Sequence, residues 1–93
     1  MKTPKHINVL GNKISLKPIK ESDISFYIGL YTSDKKSIDF VNNKEAISTI
    51  VHEIGHAIFD RAGWRQCISH DMEEVIVETY ATVLTELFNM RFK

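Results

Sequence analysis

The spacing of apolar residues changes near the middle of this 93-residue chain, and that change limits the folds it can adopt. Up to about residue 42 apolar and polar residues alternate, which is the pattern of half-buried β-strands. From residue 44 onward the apolar residues recur every three or four positions, as on one side of a helix. The sequence therefore predicts one α+β domain over residues 1–93, with a small N-terminal antiparallel sheet followed by two packed helices.

The alternating half predicts short strands joined by turns. Gly11-Asn12 separates two apolar stretches and predicts a hairpin turn, as does the polar run Thr32–Lys36 further along. Glu21-Ser22-Asp23 predicts a short turn or helix between them. The apolar strand positions are Ile7, Val9, Ile14, Leu16, Phe26, Ile28, Leu30, Ile38 and Phe40.

Ser37–Val41 alternates in the same way and leads directly into the helical half. In a small sheet such a strand is often at the edge, where unpaired backbone groups can pair with an extended peptide. We therefore expect a protein or peptide substrate to bind along Ser37–Val41. The alternative is that this strand is internal or covered by a partner subunit.

Two helices are predicted in the second half. Asn42 or Asn43 caps the first helix, and Gly63 follows its end as a left-handed C-terminal cap. Asp71 caps the second helix, which continues to about Phe92. The predicted apolar side of the second helix carries Ile76, Val77, Tyr80, Val83, Leu84, Leu87 and Phe88.

Composition narrows the functional classes. Twelve basic and twelve acidic side chains cancel, so no net charge favours nucleic acid or an anionic membrane. The basic start Met1–His6 is followed by no apolar run, and no stretch approaches the roughly 20 apolar residues of a membrane span. Cys67 is the single cysteine, which excludes an internal disulfide and a multi-cysteine zinc site. We expect a cytoplasmic protein in which histidines and carboxylates bind any metal.

The most specific motif is His52-Glu53-Ile54-Gly55-His56 in the first predicted helix. Residues four apart lie on one face of a helix, so His52 and His56 can bind a single ion. Glu53 lies about 100° around the helix, close enough to take a proton from a water molecule that the metal activates. The alternative is that both histidines are polar flank residues of an amphipathic helix.

A third metal ligand is expected from the second helix, which offers Glu73, Glu74 and Glu78. Glu74 lies at the edge of the apolar face and would point into the seam between the helices, and Glu78 lies slightly further out. Glu73 falls on the apolar side in the first turn, where an acidic residue favours the helix dipole. Glu74 could instead form a capping box with Asp71, and the carboxylate that does not ligate could accept a hydrogen bond from a ligand imidazole.

These residues resemble the gluzincin metallopeptidases, in which HExxH is followed on a later helix by a glutamate ligand. The stretches HEIGHAIF, MEEVIVETYATVL and SDKKSIDFVNN look more narrowly like the small ImmA/IrrE-type and phage-encoded metallopeptidases. The resemblance covers about residues 26–90. It implies a minimal zincin-like fold, one zinc ion bound by His52, His56 and Glu74, Glu53 as general base, and a phage or prophage origin. Glu78 departs from the pattern, since Asp or Asn is usual there.

Zinc-dependent cleavage of peptide bonds is therefore the leading functional prediction. The alternatives are a non-proteolytic zinc-containing binding module and a zinc hydrolase that acts on other substrates. His70, Tyr31 and Tyr80 could each help polarise a substrate carbonyl, although Tyr31 is also expected to pack on the sheet and Tyr80 in the core. Cys67 is expected to be a small buried residue.

Overall fold

The computed structural model describes residues 4–20 and 29–92, and its elements follow the order that the change of period predicts. The strands are β1 His6–Val9, β2 Asn12–Ile19, β3 Gly29–Thr32 and β4 Ser37–Val41. The helices are α1 Ala46–Arg61 and α2 His70–Phe92, with a 3-10 turn Trp64–Gln66 between them. The predicted α+β class is confirmed. The turn expected at residues 21–23 and the strand positions Phe26 and Ile28 lie outside the described residues.

The four strands form one sheet in the order β1-β2-β4-β3. β1 and β2 form an antiparallel hairpin, as do β3 and β4, and both hairpins close at the predicted turns. β2 and β4 are parallel, with Leu16 beside Ile38. The prediction of an antiparallel sheet is therefore wrong for this pair, because β3 lies on the far side of β4 and β4 returns alongside β2.

β4 is internal, since it is paired with β2 on one side and with β3 on the other. The prediction that Ser37–Val41 is an edge strand that binds substrate is therefore wrong, and its backbone groups are used within the sheet. Among the described residues β3 is the strand at this edge, next to α1. The strand that leads into α1 therefore lies in the centre of the sheet and not at its edge.

The core lies between α1 and one face of the sheet. Alternation in β2 and β4 directs Leu16 and Ile38 inward, while the paired residues Lys17 and Asp39 face the other way. α1 covers the inner face with alanine and isoleucine side chains spaced three and four residues apart. The residues of this cluster are Ile7, Val9, Ile14, Leu16, Tyr31, Ile38, Phe40, Ala46, Ile50, Ile54, Ala57 and Ile58.

α1 begins at Ala46, a few residues later than the asparagine caps predict, and the side chain of Asn43 accepts a hydrogen bond from the Glu45 amide at 2.9 Å. Its end matches the prediction, because Gly63 has a φ of 75° and its amide donates to the Asp60 carbonyl. This left-handed residue turns the chain back towards α2. Among the described residues, no helix combines the length and apolar character needed to cross a membrane.

α2 packs on α1 through a narrow strip. Val77 and Ala81 are buried against α1, and a Cβ atom on Gly55 would lie 2.8 Å from Val77 Cγ1, so the missing side chain lets the helices approach. The broader apolar face predicted for α2 is only partly covered. Tyr80, predicted to be core, is half exposed, and so are other residues on its side of the helix, namely Ile76, Val83 and Leu87.

Candidate metal centre

His52 and His56 lie one turn apart on α1, and their Nε2 atoms are 3.2 Å from each other. Glu74 of α2 faces them across the seam between the helices. One of its carboxylate oxygens lies 3.3 Å from Nε2 of His56, and the other lies 4.0 Å from Nε2 of His52. The structure thus brings together the three residues predicted as metal ligands, with one ligand atom from each within 4.8 Å of the others.

Each histidine has a carboxylate beside its other ring nitrogen. Nδ1 of His52 lies 3.0 Å from Glu78 Oε2, and Nδ1 of His56 lies 2.6 Å from Glu73 Oε2. An ionised carboxylate only accepts hydrogen bonds, so a proton on each Nδ1 would satisfy Glu78 and Glu73 and leave both Nε2 atoms available to a metal ion. The two Nε2 atoms are 3.2 Å apart with the Glu74 carboxylate beside them, and a cation between them would interact favourably with all three groups.

The distances fit zinc. A tetrahedral ion with bonds of about 2.0–2.1 Å places neighbouring ligand atoms about 3.3 Å apart. The separation of 3.2 Å between the two Nε2 atoms and that of 3.3 Å between His56 Nε2 and Glu74 Oε1 match this value. The contact of 4.0 Å to His52 involves the other oxygen, Glu74 Oε2, and the Glu74 side chain is 44% exposed, so a rotation can bring one oxygen towards both histidines. Two neutral imidazoles and one carboxylate also form a donor set of catalytic zinc sites, which keep a fourth position open.

Glu74 and Glu78 have different surroundings in the structure. The helical wheel alone did not decide which of the two carboxylates is the metal ligand. Glu78 reaches only the Nδ1 side of His52, whereas Glu74 lies on the Nε2 side of both histidines. The capping-box alternative for Glu74 is wrong, because the Ser69 hydroxyl accepts from the Met72 amide and α2 starts at His70. In this geometry Glu74 is the candidate ligand and Glu78 holds the His52 ring.

Glu73 is a site residue whose role the sequence did not reveal. It is 3% exposed, and besides His56 it accepts hydrogen bonds from Arg65 Nε at 3.0 Å and Arg65 Nη2 at 3.1 Å. Burial alone would raise the pKa of Glu73, but the hydrogen bonds from Arg65 and His56 outweigh it, and the pKa lies below its usual value. Glu73 therefore remains ionised and fixes the orientation of the His56 ring. This role differs from the interaction with the helix dipole that the sequence predicts.

Glu53 lies on the wall of the same cleft and is 9% exposed. Its Oε1 atom accepts a hydrogen bond of 2.8 Å from the Tyr31 amide of β3, so this amide is not bonded to β4. Burial raises the pKa of Glu53, and the Tyr31 amide and the two histidines offset part of the rise. A carboxylate with a raised pKa, whose second oxygen accepts no hydrogen bond from the described residues, is suited to accept a proton.

β3 is held against α1 at several points. Gly29 lies so close to the helix that a Cβ atom there would be 2.3 Å from Thr49 Cγ2 and 3.4 Å from Glu53 Cγ. The Tyr31 hydroxyl donates to Asp60 Oδ2 at 2.7 Å and accepts from Arg61 Nε at 3.1 Å. These contacts place the Tyr31 amide opposite Glu53, so β3 positions the carboxylate as well as bordering the cleft.

We expect Gly29→Ala to lower the free energy of unfolding by about 1–3 kcal/mol, the usual range for an overpacked site. Thr49 is β-branched and cannot rotate its methyl group away easily, so β3 must move off α1 and lose the bond to Glu53. Denaturant unfolding measures the change. Thr49→Ser removes the clashing methyl group. Adding Gly29→Ala to the Thr49→Ser variant should therefore lower the free energy of unfolding much less than adding it to the unaltered protein. Equal losses in both backgrounds would contradict this contact.

The other residues singled out in the sequence differ in how close their side chains lie to the cleft. His70 lines the cleft with its side chain 80% exposed, and its Nε2 atom lies 3.8 Å from Glu74. Tyr31 directs its hydroxyl to Asp60 and not into the cleft. Tyr80 faces away from the metal-ligand group. Cys67 is exposed, so the expectation that it is buried is wrong.

The cleft has a volume of about 290 Å³, and the histidines and acidic residues described above form part of its lining. Gly29, Leu30 and Tyr31 form one wall, and Arg65 and His70 lie opposite. Compared with known proteins, the chain matches no family model, no curated protein and no solved structure. Functional interpretation therefore depends on the geometry and chemistry of this cleft.

Proposed function

We propose that this protein is a zinc-dependent metallopeptidase of the gluzincin type. The observation that carries the proposal is the convergence of His52 Nε2, His56 Nε2 and the Glu74 carboxylate, with the Glu53 carboxylate beside them in an open cleft. Carboxylates of Glu78 and Glu73 contact the Nδ1 atoms of the two imidazoles. A purely structural zinc site usually has four protein ligands and has no use for a neighbouring buried glutamate.

His52, His56 and Glu74 would hold the ion. Zinc bound by such residues acts as a Lewis acid and lowers the pKa of water towards about 7. Glu73 and Glu78 keep the imidazoles oriented, and Arg65 in turn keeps Glu73 in place. This arrangement fixes the ligand set before any substrate arrives, which reduces the reorganisation that catalysis requires.

Glu53 would serve as the general base. The Tyr31 amide occupies its Oε1 atom, which leaves Oε2 to accept a proton from the attacking water. The same oxygen can then return the proton to the leaving nitrogen. The pKa of Glu53, raised by burial, makes the carboxylate more basic and favours the first transfer.

We place the substrate along β3 and no longer along β4, the strand that the sequence predicts for this role. β3 borders the cleft and has no strand beyond it among residues 4–20 and 29–92. Gly29 lies two residues before Tyr31, so its backbone groups face the same edge as the Tyr31 amide, which Glu53 occupies. An extended peptide pairing with this edge would pass beside the metal ligands without needing a deep side-chain pocket. Such main-chain recognition suits a cleft of about 290 Å³.

A non-proteolytic zinc-binding module is the second candidate. The observation in its favour is the size of the cleft, which is just below the usual range of about 300–1,000 Å³ for small-molecule sites. Arg65, the cation nearest the ligands, is engaged with Glu73 and Asp60 and does not point to a substrate carbonyl.

We expect the purified protein to contain one zinc ion per chain and to cleave peptides from a random library. Elemental analysis measures the metal, and mass spectrometry identifies the cleavage products. Dialysis against a chelator should abolish cleavage, and zinc, but not magnesium, should restore it, because the donor set contains two imidazoles. One zinc per chain without cleavage of any peptide would favour the binding module, and absence of zinc would contradict both.

A further inference from the structure

α2 exposes a second apolar surface on the side away from the metal centre. We name Met72, Ile76, Tyr80, Val83 and Leu87 the outer stripe; they follow one another at intervals of four, four, three and four residues. Each is between 42% and 52% exposed, whereas Val77, on the face towards α1, is 1% exposed. Beside the stripe lies an apolar groove of about 220 Å³, lined by Phe59, Trp64, Ile76 and Tyr80 among others.

The outer stripe and its borders are almost free of charge. On a helical wheel the half of α2 centred on the stripe includes Thr79 and is bordered by Val75 and Thr82. Its charged residues among the described side chains are Glu86 and Glu73, and Glu73 is 3% exposed and paired with Arg65. Thr79 and Thr82 donate their hydroxyl groups to the carbonyls of Val75 and Glu78. Their polar atoms are thus satisfied within the helix, and covering them leaves no unpaired donor. Depletion of charge is typical of the centre of a protein interface.

We propose that the outer stripe pairs with the outer stripe of a second copy of this chain, with the two α2 helices antiparallel about a two-fold axis near Thr79 and Tyr80. The spacing of the stripe is nearly the same read in either direction. Met72 would lie opposite Leu87 of the second copy, and Ile76 opposite Val83 of the second copy. Val83 of each copy would enter the groove beside Ile76, and the antiparallel helix dipoles would attract each other.

The size and chemistry of the surface favour a second copy over other occupants. The outer stripe and Trp64 expose on the order of 600 Å² of apolar surface, close to the ~800 Å² per partner of a standard interface. The described side chains of α2 include no lysine or arginine, which a nucleic acid or an anionic membrane would require. Glu74 and Glu78, the carboxylates that border the open cleft, lie on the opposite side of α2, so pairing leaves the cleft open.

Sedimentation velocity tests the pairing. Between about 1 and 200 µM the full chain should convert from a 10.7 kDa species to one of twice that mass. Val83→Glu places a charge in the centre of the stripe and should raise the dissociation constant at least ~100-fold, with unchanged circular dichroism and zinc content. Leu10→Glu, at an exposed apolar residue outside the stripe, is the matched control and should dimerise normally. A full chain that remains monomeric throughout overturns the proposal.

Cross-linking tests the direction of the helices. On a Cys67→Ser background, the double variant Met72→Cys with Leu87→Cys should form covalent dimers under mild oxidation, because these positions face each other in the antiparallel pair. Either substitution alone should form none. Efficient cross-linking of the single Leu87→Cys variant would show that the helices are parallel and would overturn the arrangement. A double variant that dimerises without cross-linking would also overturn it, because the two positions would not lie opposite each other.

Discussion

The Glu53→Gln variant is expected to retain one zinc ion per chain and to cleave peptides at least ~100-fold more slowly than the unaltered protein. Glutamine has nearly the same shape, and its side-chain oxygen can still accept the hydrogen bond from the Tyr31 amide. β3 and α1 should therefore keep their positions. The amide cannot take a proton from water at neutral pH, so only the chemical step is lost. Initial rates on one cleaved peptide, with zinc content measured on the same sample, give the comparison.

Glu86→Gln is the matched control, because Glu86 is exposed and makes no contact with the metal-ligand group. It should cleave at the normal rate. A Glu53→Gln variant with near-normal activity would remove Glu53 from the mechanism. A variant that loses its zinc would mean that Glu53 is needed to bind the metal, which is a different role from the one proposed.

The second large effect is expected for zinc binding. His56→Ala should abolish stoichiometric zinc, because it removes a ligand atom and leaves Glu73 and Arg65 without the imidazole they surround. Glu74→Ala should weaken zinc binding by more than the 10–100-fold that is usual for a residue that only orients a ligand. Glu78→Ala should fall within that 10–100-fold range, since Glu78 reaches only Nδ1 of His52.

Competition with a chromophoric chelator measures these affinities. His6→Ala provides the control, because this exposed histidine of β1 lies outside the ligand group and the lining of the cleft and should leave zinc affinity unchanged. If Glu78→Ala weakened binding more than Glu74→Ala, the ligand assignment of the two carboxylates would have to be exchanged.

The features that the sequence predicts well are those that depend on local spacing. His52 and His56 converge because residues four apart share a helix face, whatever the rest of the chain does. Gly63 ends α1 because glycine readily adopts the left-handed conformation that this cap requires. The wheel also places Glu74 nearer than Glu78 to the seam between the helices, but only the structure shows which side of the histidines each of them faces.

The features that the sequence did not predict depend on contacts between distant segments. The alternation in Ser37–Val41 is the same for an internal strand and an edge strand, so it could not show that β2 pairs with β4 in parallel. Glu73 was misinterpreted because its partner Arg65 lies in a short turn that carries no motif. The wheel likewise could not show that Tyr80 stays half exposed although Val77 and Ala81 nearby are buried.

The narrow apolar strip between α1 and α2 has a consequence for how the molecule opens. α2 contacts α1 extensively, and besides the buried Val77 and Ala81 that contact includes the pairing of the Glu73 carboxylate with His56. The lowered pKa of Glu73 means that its contribution is complete above the ordinary carboxylate pKa and is lost as the pH falls through the lower value. Acid strong enough to protonate Glu73, below the ordinary carboxylate pKa, should therefore loosen α2 from α1 before the sheet unfolds, and amide hydrogen exchange over a pH series measures this order.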